Sequence, residues 1–195
     1  MSDYALVVVG ASLGGLAAVS ELLAQLPDEL DAAVVLAQHR AAEAPRGELE
    51  RLLQLHTDRK VVEVSDKDPI EPRHVYLAPP DYHVLVEPGS FALSTEARVM
   101  YARPSIDVLF ESAADAYGER AIGIVLTGAN ADGAAGLARI KAVGGVAIAQ
   151  DPATAQAPVM PAAVLKATAV DAVLPVGEMG AFLRSLALTP AGVRT

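Results

Sequence analysis

The 195-residue sequence has no cysteine and no tryptophan, and only three phenylalanines. Without thiols, disulfides and thiolate metal sites are excluded, and the composition fits a reducing compartment. Aromatics are 4% of the chain while 52% of it is hydrophobic. Ala, Val and Leu must therefore fill the interior, which suits close packing of helices on a sheet. No apolar run approaches the ~18 residues that a membrane helix needs. No basic stretch of the signal-peptide kind precedes the first apolar run. A cytoplasmic chain without direct membrane insertion is expected. The formal net charge of −9 argues against nucleic acid as a partner. Basic residues do cluster at Arg40, Arg46, Arg51, Arg59 and Lys60, but Glu43, Glu48, Glu50 and Asp58 lie among them. The pattern predicts a solvated, salt-bridged face. Nothing in the composition specifies an oligomeric state.

Short Val-rich runs alternate with amphipathic ones. Strands are expected at residues 5–9, 33–37, 61–64, 75–78, 122–126, 146–149 and 172–174. Helical spacing recurs in Leu16, Val19, Leu22, Leu23 and Leu26, with Pro27 as the stop, and again at 47–55, 134–143, 160–168 and 178–188. Pro104 is suited to the first position of a helix whose inner face is Ile106, Leu109, Phe110, Ala113 and Tyr117. Residues 83–86 and 91–94 flank Glu87-Pro88-Gly89-Ser90, a hairpin signal. The fold class is thus α/β: a doubly wound, mostly parallel sheet with helices on both faces and one antiparallel hairpin. A single domain over 1–188 is expected, with a loose tail from Thr189.

In open α/β sheets, sites form where strand carboxyl ends and helix N-termini converge. Ser12 follows the first strand, His39 the second, and Asp132 the strand at 122–126. A serine needs a base, and the base needs an acid to orient it. Each residue also has an ordinary explanation. Ser12 suits a helix N-cap, His39 a plain loop histidine, and Asp132 a turn or cap. The Gly10-x-x-x-Gly14-Gly15 turn also suggests phosphate binding and an NAD(P)-dependent oxidoreductase. However, Ser12 stands where the dinucleotide fingerprint needs glycine, and Gln38-His39 where it needs an acid. No tyrosine has a lysine four residues on, as short-chain dehydrogenases require. The other histidines, His56, His74 and His83, make no His-x-x-x-His pair. Neither a metal nor a cofactor is expected. A non-catalytic signalling module is a third alternative.

Several segments together resemble the CheB-type chemotaxis methylesterases. Val7-Val8-Val9-Gly10-Ala11-Ser12-Leu13-Gly14-Gly15 is similar to their nucleophile segment, and Gln38-His39 to the one bearing their histidine. Arg103-Pro104-Ser105-Ile106-Asp107 and Leu126-Thr127-Gly128-Ala129-Asn130-Ala131-Asp132-Gly133 resemble the segment after their hairpin and their Asp-bearing loop. Gly144-Gly145, Gln150-Asp151-Pro152-Ala153-Thr154 and Met160-Pro161 follow in the family's order. The resemblance implies an esterase acting on glutamate methyl esters of chemoreceptors or related signalling proteins, with deamidation of glutamines a possible second activity. It implies Ser12 as nucleophile, His39 as base and Asp132 as orienting acid. Oxyanion donors are expected from the backbone of Leu13, Gly14 and Ala129, and substrate contacts from Arg40 and Arg103. The chain order Ser, His, Asp departs from the Ser, Asp, His of ordinary α/β-hydrolases, and a different nucleophile elbow is expected too. The first strand begins within five residues of Met1. A stand-alone form without the family's N-terminal receiver domain is therefore expected, with a site open whenever the protein is folded.

Overall fold

The computed structural model describes residues 4–188. The expected tail lies outside the described residues. The main sheet is parallel throughout, in the order β3-β4-β2-β1-β7-β8-β9. Its strands are β1 (Leu6–Ala11), β2 (Ala33–Gln38), β3 (Lys60–Glu63), β4 (His74–Leu77), β7 (Ala121–Val125), β8 (Val146–Gln150) and β9 (Ala172–Leu174). β5 (His83–Glu87) and β6 (Ser90–Ser94) form the separate antiparallel pair, with Glu87 opposite Ser90. The helices are α1 (Gly15–Leu23), α2 (Glu48–Gln54), α3 (Ile106–Tyr117), α4 (Ala134–Ala142), α5 (Val159–Ala167) and α6 (Val176–Leu188).

Every residue of β1 is buried, because both faces of the sheet are covered. Val7, Val9 and Ala11 join one core with Leu22 of α1, Leu53 of α2 and Met179 and Leu183 of α6. Leu6 and Val8 point the other way, into a second core with Ile106, Leu109 and Phe110 of α3, Leu137 of α4, Met160 of α5 and Phe91 of the hairpin. A continuous apolar run is therefore what this strand needs, and the period-2 alternation decides which core each side chain enters.

Three local expectations are corrected. Helix α1 stops at Leu23, before Pro27, and turn hydrogen bonds carry the chain through Gln25 and Leu26. Pro104 is not the first helical residue. Ser105 is the N-cap of α3, since its side chain accepts the Val108 N–H. The basic cluster is not uniformly solvated. Arg59 is only 7% exposed, and its guanidinium donates to the carbonyl oxygens of Ala32 (2.9 Å), Pro27 (3.0 Å) and Leu30 (2.7 Å). Burial lowers its pKa, yet these bonds hold the loop that delivers the chain into β2.

Helices α3 and α4 interlock closely. Asp107 Oδ1 accepts the Gly136 N–H at 2.7 Å. A Cβ on Gly136 would lie 2.5 Å from Phe110 Cβ and 3.0 Å from Asp107 O. Burial, together with the charges of Asp132 and Glu111, raises the Asp107 carboxyl to about 6, against the backbone donors that favour its anion. Two outcomes are expected. Gly136→Ala should destabilise the protein by about 1–3 kcal/mol through overpacking, and a urea midpoint equal to the parent's would contradict this contact. Asp107 binds its proton more tightly folded than unfolded, so its contribution to stability is present in acid and lost as pH rises through about 6. Asp107→Asn should remove that loss, worth roughly 1–3 kcal/mol. Denaturation of both proteins at pH 4 and pH 7.5 should show the variant gaining on the parent at the higher pH.

Candidate active site

β1 lies between β2 and β7, so the loops leaving these three strands are neighbours. The backbone ties them together: Ser12 N–H donates to Thr127 O at 2.9 Å, His39 N–H to Ala11 O at 3.0 Å, and Leu126 N–H to Gly10 O at 2.9 Å. The chain leaves β1 for β2 on one side and returns through β7 on the other. This is the switch point at which open sheets place their sites.

His39 Nε2 is 2.7 Å from Asp132 Oδ2. Asp132 is fully buried, and it accepts three further hydrogen bonds, from Ser105 Oγ (2.9 Å), Ile106 N–H (2.8 Å) and Asp107 N–H (2.9 Å). The last two are free N–H groups of the first turn of α3, where the helix dipole also favours an anion. Burial raises the Asp132 pKa, but the bonds from His39, Asp107 and Ile106 outweigh it and leave the carboxyl below its ordinary value. An anionic Asp132 places the proton of this bond on Nε2 and leaves Nδ1 an acceptor. Glycine at position 10 permits the approach of α3, because a Cβ there would lie 2.4 Å from Ile106 Cγ2.

Ser12 lies in the turn between β1 and α1, half-buried. It is not the helix cap. That position is Gly14, at φ 79°, without any side-chain cap. Asp132 likewise is not the cap of α4, which is Gly133. Ser12 Oγ and His39 Nδ1 make no hydrogen bond among the described residues. The two residues line one hollow of about 600 Å³ together with Leu13, Gly14, Gln38 and Gln156. Gln38 Oε1 is buried and has no partner among the described residues. Gly10-Ala11-Ser12-Leu13-Gly14 has Gly-x-Ser-x-Gly spacing on a strand-to-helix turn, so the sequence pattern is shared, while the positive φ of this turn falls on Gly14 and not on Ser12. The N–H groups of Leu13, Gly14 and Ala129 likewise have no acceptor among the described residues.

A second hollow of about 380 Å³ also has His39 on its wall, with Arg40, Arg98, Met100, Tyr101 and Arg103. Neither Arg40 nor Arg103 is idle. Arg40 Nη2 donates to Glu63 Oε2 (2.9 Å) and Ala78 O (3.0 Å), while its Nε is buried and has no partner among the described residues. Arg103 reaches Asp81 Oδ1 through Nε (3.1 Å) and Nη2 (2.8 Å), and the carbonyls of Thr95 and Glu96 through Nη1.

Residue-type reasoning missed Ser105 and His83. Ser105 is fully buried, with its hydroxyl on Asp132 and its N–H 3.2 Å from His83 Nδ1. His83 is 2% exposed, and its Nε2 lies 3.1 Å from Ala97 O. The available signal was a serine immediately before a helical run, a cap pattern. It locates the helix start but not the carboxylate that the start would receive.

The chain matches the family model described as CheB methylesterase over residues 7–183. It is 44% identical over 173 residues to a putative protein-glutamate methylesterase/protein-glutamine glutaminase of Leptospira interrogans, covering 88% of this chain and 89% of that one. It is 41% identical over 180 residues to protein-glutamate methylesterase/protein-glutamine glutaminase 2 of Anaeromyxobacter dehalogenans, covering 92% of this chain and 52% of that longer protein. The solved CheB methylesterase catalytic domain of Thermotoga maritima superposes with a TM-score of 0.87 at 30% identity, covering 94% of this chain and 98% of that one. On sequence and fold together, this chain belongs to the CheB methylesterase family.

Proposed function

We propose that this protein is a carboxylic ester hydrolase that demethylates glutamate γ-methyl esters of chemoreceptors, with Ser12, His39 and Asp132 as its catalytic residues. The observation that carries the reading is the 2.7 Å bond from His39 to an Asp132 carboxylate fully buried at the start of α3, with His39 and Ser12 on one hollow. Relatives named for methylesterase and glutaminase activity support it.

Ser12 Oγ attacks the ester carbonyl carbon while its proton passes to His39 Nδ1. Asp132 holds the ring and stabilises the imidazolium. The oxyanion is received by the unpaired N–H groups of Leu13, Gly14 and Ala129, which need no reorganisation to meet it. The tetrahedral intermediate expels methoxide, which takes the proton from His39 and leaves as methanol. A water molecule then attacks the acyl-serine, His39 again accepting a proton. Ser12 recovers it, and the glutamate carboxylate is released. The same acyl-enzyme formed from a glutamine side chain, with ammonia as the leaving group, gives deamidation. The missing Ser12–His39 bond is no obstacle, because such contacts commonly tighten only when substrate binds. Arg40 and Arg103 give the second hollow its basic wall, which suits an acidic polypeptide. No observation favours dinucleotide chemistry or a non-catalytic role.

Ser12→Ala or His39→Ala should lower turnover by about 10³–10⁶, and Asp132→Asn by somewhat less. The double variant Ser12→Ala/His39→Ala should be scarcely worse than either single one, because the residues act as a unit. Methanol release from a methylated chemoreceptor fragment is the measurement. A double loss equal to the product of the single losses would show that the two residues are not partners.

A further inference from the structure

Two adjacent residues beside the site hold a backbone conformation that their side chains resist. Val99 N–H donates to Ala102 O at 3.1 Å and Ala102 N–H to Val99 O at 2.8 Å, closing a two-residue turn. Its central residues, Met100 and Tyr101, both have positive φ, 47° and 65°. Such turns call for Asn-Gly or a similar pair, because a Cβ is disfavoured at both positions. Burial does not offset this. Tyr101 is 95% exposed and Met100 46%. Strain retained beside a site by two side chains this exposed points to a role toward something outside the chain.

The turn is firmly rooted. Arg103 and Arg98 share Asp81, Arg103 also holds the carbonyls of Thr95 and Glu96, and His83 holds Ala97 O. Its tip stands on the wall of the hollow that includes His39. On the other side of His39, the Ser12 hollow is rimmed by Leu13, 56% exposed, and Leu16, 40% exposed. Apolar side chains thus flank the reacting centre on two sides. The charge is equally distinctive. The chain carries −9 overall, yet the hollow beneath the tip is lined by Arg40, Arg98 and Arg103; Arg40 pairs with Glu63, and the other two share the single carboxylate of Asp81.

We propose that the Met100–Tyr101 tip is the recognition anchor for the polypeptide substrate of this site. It packs on an apolar residue of an acidic segment that presents the ester to Ser12, while the arginines below face the segment's carboxylates. Rigid, exposed aromatic side chains at a rim supply contact area at little entropic cost. Small esters reach Ser12 without engaging the tip, whereas a polypeptide spans both hollows.

The proposal rests on the esterase reading, and the test separates the two. Met100→Asn/Tyr101→Gly removes the apolar tip and installs a pair that the turn prefers, so its unfolding midpoint should be no lower than the parent's. Its kcat/KM on a methylated chemoreceptor fragment should fall at least tenfold more than that on p-nitrophenyl acetate, with the difference in KM. Tyr101→Phe should recover most of the loss. Binding of the same fragment to the Ser12→Ala protein should weaken tenfold or more when the tip is replaced, and should also weaken with added salt. Equal losses on both substrates, or fragment binding within twofold of the Ser12→Ala protein, would overturn the anchor. If the wild type and Ser12→Ala release methanol alike, the esterase reading fails, and the binding comparison alone decides the anchor.

Discussion

The structure around this site depends on one buried charge. Asp132 has no solvent exposure, and an isolated carboxylate in such a place costs several kcal/mol. It is tolerated because four donors surround it: the His39 ring, the Ser105 hydroxyl, and the Ile106 and Asp107 N–H groups. Three of the four belong to the start of α3. The helix could not begin elsewhere without stranding the charge, and the charge could not move without leaving N–H groups unpaired. The loop after β7, the first turn of α3 and the histidine after β2 are therefore fixed by one carboxylate.

A second acid shows how narrow the compensation is. Asp107 is the residue after Ile106, and its own N–H serves Asp132. Its side chain turns to α4 and accepts from Gly136. Burial above all, and then the neighbouring charges of Asp132 and Glu111, push Asp107 up to about 6, while the donors around Asp132 hold that carboxyl below its ordinary value. The environment, not the residue type, separates an anion at His39 from a carboxyl that keeps its proton longer.

Periodicity made the elements legible. Val-rich runs bounded by Gly and Pro gave strands close to their observed limits, and the helical stripes found both cores. Ser12, His39 and Asp132 stood out because polar residues at strand ends have few structural duties. Their proximity was less legible, since it depends on strand order, which side-chain pattern along one strand does not encode. Ser105 and His83 were hidden for a similar reason. A capping serine and a hairpin histidine have ordinary local roles, and only the tertiary approach of α3 to β1, permitted by Gly10, gives them a charge to support. Arg59 looked like part of a charged surface because its partners are main-chain carbonyls, which leave no trace in sequence.

The chain order of the three residues also follows from the sheet. What brings them together is that β1 lies between β2 and β7, so any order along the chain serves if the strands are neighbours. The sheet sets the orientation of the imidazole as well. In the familiar serine-protease arrangement the acid meets Nδ1, whereas here it meets Nε2. His39 leaves β2 with its own N–H bonded to Ala11 O, one residue before Ser12. Its backbone therefore lies beside the Ser12 turn, and Asp132 comes from the strand on the other side of β1. The ring nitrogen that reaches Asp132 is Nε2, the one farther from the backbone. A carboxylate met through Nε2 is thus the expected result when the histidine follows the strand on one side of β1 and the acid the strand on the other.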